Sequence, residues 1–145
     1  MNEGRSIFAE FCDDIRLEVG NKYSLMGCYS SEVVLDTAPS LLPKLCCLIS
    51  AVTPKEKPFA ELAIRAYLGE ELLAEQVIDA EYFKKNSEFF KDAPVNTTTM
   101  IARIQMAFVP LLINEACTLR IELTTEEGLM LGPKLRFTTT TTGIA

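Results

Sequence analysis

The sequence contains no histidine, and this absence removes both the commonest general base at neutral pH and the commonest zinc ligand. The phosphate-binding pattern Gly-x-x-x-x-Gly-Lys, the dinucleotide pattern Gly-x-Gly-x-x-Gly and the nucleophile pattern Gly-x-Ser-x-Gly do not occur either. These absences argue against the common classes of hydrolase and nucleotide-dependent enzyme. We therefore expect a protein with no catalytic residues, no metal site and no cofactor.

Long apolar runs and an excess of basic residues are also missing. The longest apolar stretch, 106–113, is shorter than the roughly 20 residues of a transmembrane helix and contains Pro110. The N-terminal segment lacks the apolar core of a secretion signal. Fourteen Lys and Arg residues lie scattered among twenty acids, and the net charge is −6, which disfavours phosphate backbones and anionic lipid surfaces. We expect a cytoplasmic protein with no nucleic-acid and no membrane partner.

The sequence has five cysteines, an odd number at irregular positions. Such a set is typical of reduced thiols in a cytosolic protein rather than of a secreted disulfide framework. Cys46 and Cys47 are adjacent, so on a strand they point to opposite faces and do not form a redox pair or a metal clamp. We expect both to be buried and to react slowly.

The sequence predicts one folded domain, 1–145. Its length and its apolar fraction of 48% suffice for one hydrophobic core without disulfides or metal. Apolar and polar residues alternate over 61–68, 100–108 and 118–123, which predicts strands with one buried face. Gly69 lies between the first of these runs and the apolar run Leu72–Ile78 and suits a tight hairpin, although helix-forming residues over 59–78 keep a helix as the alternative.

Other segments extend this pattern to about eight strands. The almost continuous apolar run Leu45–Val52 predicts a central strand covered on both faces, Glu32–Leu35 predicts a short edge strand, and Pro39 and Pro43 predict a loop. The sequence therefore predicts an all-β protein, an antiparallel two-sheet β-sandwich of immunoglobulin-like or C2-like type, with a barrel as the second choice. One short helix is predicted within 79–93, capped by Asp79.

The segment Phe11–Tyr29 contains an acidic pair, then Ile-Arg-x-Glu-x-Gly, Asn-Lys and a Leu-x-Gly-x-Tyr strand. In this it resembles the opening of a family of small, uncharacterised bacterial and phage-associated proteins. The resemblance covers mainly the first thirty residues, from about position 7 to 29. It implies a bacterial source and is compatible with the β fold, and it assigns no catalytic residues.

Two sets of charged residues are candidates for binding. Asp13 and Asp14 form an acidic pair, but strand neighbours point to opposite faces, so a shared site requires a bend and a solvated turn is the alternative. A calcium site would need further carboxylates, for which Glu126 and Glu127 are the obvious candidates. The second set comprises Arg65, Arg103 and Arg120, which lie on polar faces of their predicted strands. They form either a charged ladder that binds a carboxylate ligand or a solvated face.

The end of the sequence is a candidate for association with another chain. Residues 134–142 have high β propensity and finish in five threonines, with no proline, and with no lysine after Lys134. This predicts an interface that includes Leu135, Phe137, Thr138 and Thr140, with a frayed terminus as the alternative. The functional hypothesis is a non-enzymatic interaction or structural accessory protein that acts through oligomerisation or partner binding. The rival hypothesis is a small-ligand-binding module or minor hydrolase that uses acidic residues.

Overall fold

The computed structural model describes residues 2–79, 81–82 and 98–140. This part of the chain is nearly all strand, which confirms the all-β prediction. The described residues form eleven strands: β1 (Ser6–Glu18), β2 (Lys22–Cys28), β3 (Glu32–Leu35), β4 (Ser40–Leu42), β5 (Leu45–Pro54), β6 (Leu62–Leu68), β7 (Glu71–Ile78), β8 (Thr99–Phe108), β9 (Leu111–Ile113), β10 (Cys117–Thr125) and β11 (Gly128–Thr139).

The strands form two main sheets and one small sheet. The four-stranded sheet has the order β2-β1-β5-β8, and the five-stranded sheet has the order β3-β11-β10-β6-β7. Strands β4 and β9 form a two-stranded sheet. The inward faces of both main sheets contribute to one apolar core, which is the arrangement of a β-sandwich.

Strand β5 lies inside its sheet and is covered on both faces, as its sequence predicts. Cys47 and Ile49 face the core, while Cys46 and Leu48 face the other way, and all four are buried. In the five-stranded sheet β10 has the same central place, with Leu119, Ile121 and Leu123 inward and inaccessible to water. Burial of alternate large aliphatic side chains on facing sheets is the main source of stability here.

The fold departs from the prediction in two places. First, β3 pairs with β11 in parallel, although all other pairs are antiparallel. Second, the segment between Pro39 and Pro43, predicted as a loop, contains β4, which pairs with β9. Three residues between prolines are too few to show a period of two, and Ser40–Leu42 pairs with Leu111–Ile113, a segment far away in the sequence.

The predicted helix begins where expected. Asp79 Oδ1 accepts a hydrogen bond from the backbone N–H of Tyr82 at 3.0 Å, as an N-cap residue does. Glu81 and Tyr82 are helical, and residues 80 and 83–93 of the predicted range lie outside the described residues. No helix in the described ranges has the length and apolar character needed to cross a bilayer.

Candidate functional site

The acidic pair lies in the middle of β1, and its two carboxylates have different partners. Asp13 Oδ1 accepts a hydrogen bond from the Tyr29 hydroxyl at 2.6 Å. The Asp13 side chain lies directly over Gly27, whose φ of +67° and lack of a Cβ allow this approach. Burial, together with the hydrogen bond and negative charge of Asp13, raises the pKa of Tyr29 to about 12.

Asp14 points to the opposite face of the sheet. Its Oδ1 accepts hydrogen bonds from Lys44 Nζ at 2.7 Å and from the backbone N–H of Ile15 at 3.0 Å. The Lys44 hydrogen bond is the main reason that the pKa of Asp14 is lowered, and the same contact raises the pKa of Lys44. The two carboxylates are bound separately, which does not support a shared acid–base pair.

Beside Asp14, three cysteines form a row across three strands, which we call the thiol row: Cys28 on β2, Cys12 on β1 and Cys46 on β5. Cys12 is directly opposite both Cys28 and Cys46. Direct partners in a sheet share one face, and this face points away from the core. Cys12 and Cys46 are buried, whereas Cys28 is exposed. The row cannot be recognised in the sequence, because it exists only in the register of the strands.

The hydrogen-bond pattern distinguishes the two pairs in the row. The backbone N–H of Tyr29 donates to Phe11 O at 2.8 Å, so Phe11 and Tyr29 form a hydrogen-bonded pair. Pair types alternate along an antiparallel ladder, so the next pair, Cys12 and Cys28, is non-hydrogen-bonded. The N–H and C=O of Cys12 consequently point to β5, and Cys12 and Cys46 form a hydrogen-bonded pair.

The predicted arginine ladder is formed by two of its three residues. Arg65 Nε lies 2.6 Å from Glu75 Oε2 and Arg65 Nη1 donates to Thr124. The Arg120 guanidinium lies 4.3 Å from the Tyr67 ring centre and 3.2 Å from Glu122. These residues share the outward face of the five-stranded sheet, where cross-strand pairs contribute about 0.2–1 kcal/mol each.

Arg103 is separate from this ladder. It lies on β8 in the other main sheet and borders a shallow cleft with Asp79 and Tyr82. The three arginines therefore do not form one site.

Arg5, which was not a candidate from the sequence, makes more side-chain hydrogen bonds than any other cationic residue in the described part of the chain. The Arg5 side chain is fully buried, and its guanidinium lies 4.6 Å from the Phe59 ring centre. It donates to Thr53 Oγ1, Asn2 Oδ1, the carbonyls of Lys57 and Pro58, and Glu126 Oε1. Arg5 thus joins the N-terminus, the end of β5 and the β10–β11 turn. Only long-range structure reveals this role.

The two carboxylates considered for calcium lie in this β10–β11 turn and have basic partners. Glu126 contacts Arg5 and Glu127 contacts Lys57, both at 2.5 Å. Burial alone raises the pKa of Glu126, but the hydrogen bonds and the charge of Arg5 outweigh burial and lower it overall. Within the described ranges, no group of three or more acidic or cysteine side chains is arranged to hold a metal ion.

The residues of the predicted C-terminal interface lie within the fold. Leu135 and Phe137 are buried in the core. Thr138 Oγ1 donates to Glu32 at 2.9 Å, and the backbone N–H of Thr140 donates to Leu35 O. The edge of β11 that the prediction left for another chain is thus paired with β3 of the same chain.

Comparisons with protein-family models, curated proteins and solved structures found no match. The fold and its surfaces define a sandwich-like, all-β protein with a buried arginine network at one end and a row of thiols on one outer face.

Proposed function

We propose that the protein is a non-enzymatic association module and that β8 pairs with β8 of a second copy. The observation that carries the proposal is the character of this strand. It is ten residues long, it contains Arg103 as its single charge and no proline, and it lies at the edge of the four-stranded sheet. Natural edge strands are usually shortened, charged or interrupted to prevent pairing with another chain.

The unpaired backbone groups of β8 follow from the ladder on its other side. Cys46 uses its N–H and C=O for β1, so Cys46 and Ala107 form a non-hydrogen-bonded pair. The N–H and C=O of Ala107 therefore point away from β5. The β5–β8 register has no bulge, so Gln105, Arg103 and Ile101 point their backbone groups the same way. Among the described strands, β8 pairs only with β5.

The side chains of β8 suit pairing with an identical strand. A two-fold axis beside Ile104 places Arg103 of one copy opposite Gln105 of the other, and Ile101 opposite Ala107. Neither pair brings like charges together, which antiparallel pairing must avoid. Closed two-fold dimers are the commonest oligomers of soluble proteins.

Exposed apolar side chains lie on the outward face of this sheet, and one of them is on β8 itself. On the outward face of the four-stranded sheet, Phe8 is 61% exposed and Ile101 is 45% exposed. Strand addition at β8 would extend this face across two copies and would place Ile101 beside Ala107 of the second copy. A role as a subunit of a bacterial or phage assembly, which the N-terminal resemblance suggests, is compatible with such a module.

The proposal is tested by removing one outward backbone donor. Proline is tolerated on an edge strand only where the N–H faces away from the sheet, and position 105 meets that condition. We expect light scattering to show a dimer for the wild type and for Gln105→Thr, a control that keeps the donor. Gln105→Pro is expected to be a monomer with an unchanged far-UV circular dichroism spectrum.

Two results would contradict the proposal. A monomeric wild type at all concentrations would exclude self-association, and a dimeric Gln105→Pro would place the interface elsewhere.

A further inference from the structure

We propose that Cys12 and Cys28 are a reversible oxidation site, which exchanges with a low-molecular-weight disulfide and closes into a disulfide between β1 and β2. This site lies near the β2 edge of the four-stranded sheet, opposite the β8 edge, so it does not depend on the proposed function. Both cysteines are free thiols in the structure.

The geometry of the pair is suited to bridging. Cys12 and Cys28 are direct partners of the non-hydrogen-bonded type, in which Cα atoms are about 4.5 Å apart and side chains are closest. Disulfides span Cα distances of about 4.4–6.8 Å. Bridging therefore needs rotation of the side chains and little movement of the backbone.

The two thiols differ in access, which assigns them different roles. Cys28 is exposed and can meet a small disulfide in solution. Cys12 is inaccessible to water, and its Sγ donates to Asp14 O at 3.4 Å. Burial raises the pKa of Cys12 to about 11, so Cys12 has a small thiolate fraction and reacts only with a sulfur held beside it. Cys28 is the attacking thiol and Cys12 is the resolving thiol.

The exchange proceeds in two steps with a small disulfide, R–S–S–R, as the oxidant. The Cys28 thiolate attacks one sulfur, forms a mixed disulfide and releases one thiolate, RS⁻. Cys12 then loses its proton, attacks Cys28 Sγ and expels the second RS⁻. The two protein thiols together lose two electrons and two protons, and R–S–S–R is reduced to two R–SH.

Cys46 is the competing partner for Cys12, and the shorter side-chain distance and the exposure of Cys28 favour Cys28 over it. Cys12 and Cys46 form a hydrogen-bonded pair, in which the Cα atoms are about 5.5 Å apart and the side chains are farther from each other. Cys46 is also buried, so an oxidant does not reach it directly. Of the disulfides that the thiol row allows, we therefore expect the one between Cys12 and Cys28.

The test is incubation of the folded protein with oxidised glutathione, followed by thiol counting and mass mapping of peptides. We expect the wild type to lose two thiols and to yield a Cys12–Cys28 peptide pair with no retained glutathione. Cys12→Ala is expected to stop at glutathionylated Cys28. Cys117→Ser, which changes a half-buried cysteine outside the row, is expected to behave as the wild type.

Any of three outcomes would overturn the proposal: stable glutathione on Cys28 in the wild type, a Cys12–Cys46 bridge, or no loss of thiols. If Cys12→Ala does not fold, as judged by circular dichroism, peptide mapping of the wild type alone still decides between these results.

Discussion

Replacement of Arg5 by methionine gives a sharp test of the buried network. Methionine keeps most of the side-chain volume but removes every donor of the guanidinium. Breaking a buried ion pair by removing one partner costs about 3–5 kcal/mol. The Glu126 side chain is 28% exposed and retains some hydration, so we take the lower limit of about 3 kcal/mol.

For a chain of this size, 1 kcal/mol corresponds to about 2–4 °C in melting temperature. The expected decrease for Arg5→Met is therefore about 6–12 °C. The chain has no tryptophan, so urea unfolding is followed by far-UV circular dichroism. The matched control is Arg16→Met, which removes an exposed arginine and should change the free energy of unfolding by no more than about 0.5 kcal/mol.

A loss below about 1 kcal/mol for Arg5→Met would refute the reasoning, because it would equal the contribution of one ordinary hydrogen bond. A second variant tests the contribution of the ion pair between Arg5 and Glu126. In the Arg5→Met background, Glu126→Gln removes the carboxylate left without its cation and should restore part of the lost stability. If the two substitutions are simply additive, Arg5 and Glu126 are not coupled.

Three further predictions concern other sites. Gly27→Ala should lower the free energy of unfolding by about 1–3 kcal/mol more than the control Gly69→Ala. Both glycines have positive φ, but only at Gly27 would a Cβ meet the Asp13 side chain. Equal melting temperatures of the two variants would contradict this. Because the pKa of Glu126 is lowered in the folded protein, this group stabilises the fold at pH values above its unfolded pKa near 4.5, and the stabilisation is lost as the pH falls through the lower folded pKa. Over that pH window, Glu126→Gln should lose less stability than the wild type. Burial raises the pKa of Cys47 to about 12, so thiol reagents should label it only at the rate of unfolding, and fast labelling of the folded protein would contradict its core position.

The sequence predicts those parts of the fold in which one strand carries its own signal. The bounds of β3 follow from the residues Glu32–Leu35, and the central position of β5 follows from its uninterrupted apolar run. The hairpin at Gly69 is confirmed, because β6 and β7 pair antiparallel across it, and its signal is a glycine between two apolar runs. In these cases the pattern of burial is local, and neighbouring residues suffice to read it.

The sites could not be predicted to the same extent, because they depend on register and long-range pairing. Cys12, Cys28 and Cys46 look unrelated in sequence and become neighbours only when β1 pairs with both β2 and β5. Arg5 resembles a solvated N-terminal residue until its partner, 121 positions later, is known. Phe137 and the threonines after it have the composition of an edge strand, but β3 occupies that edge.

The arrangement of the two main sheets has a consequence for the order of events during synthesis on the ribosome. All four strands of one sheet precede residue 109, whereas the other sheet lacks β10, its central strand, until residue 125 has been made. During this interval Ile49 and Ile104 belong to a complete sheet whose apolar face has no cover. We expect nascent chains of intermediate length to be the form of this protein most dependent on chaperones.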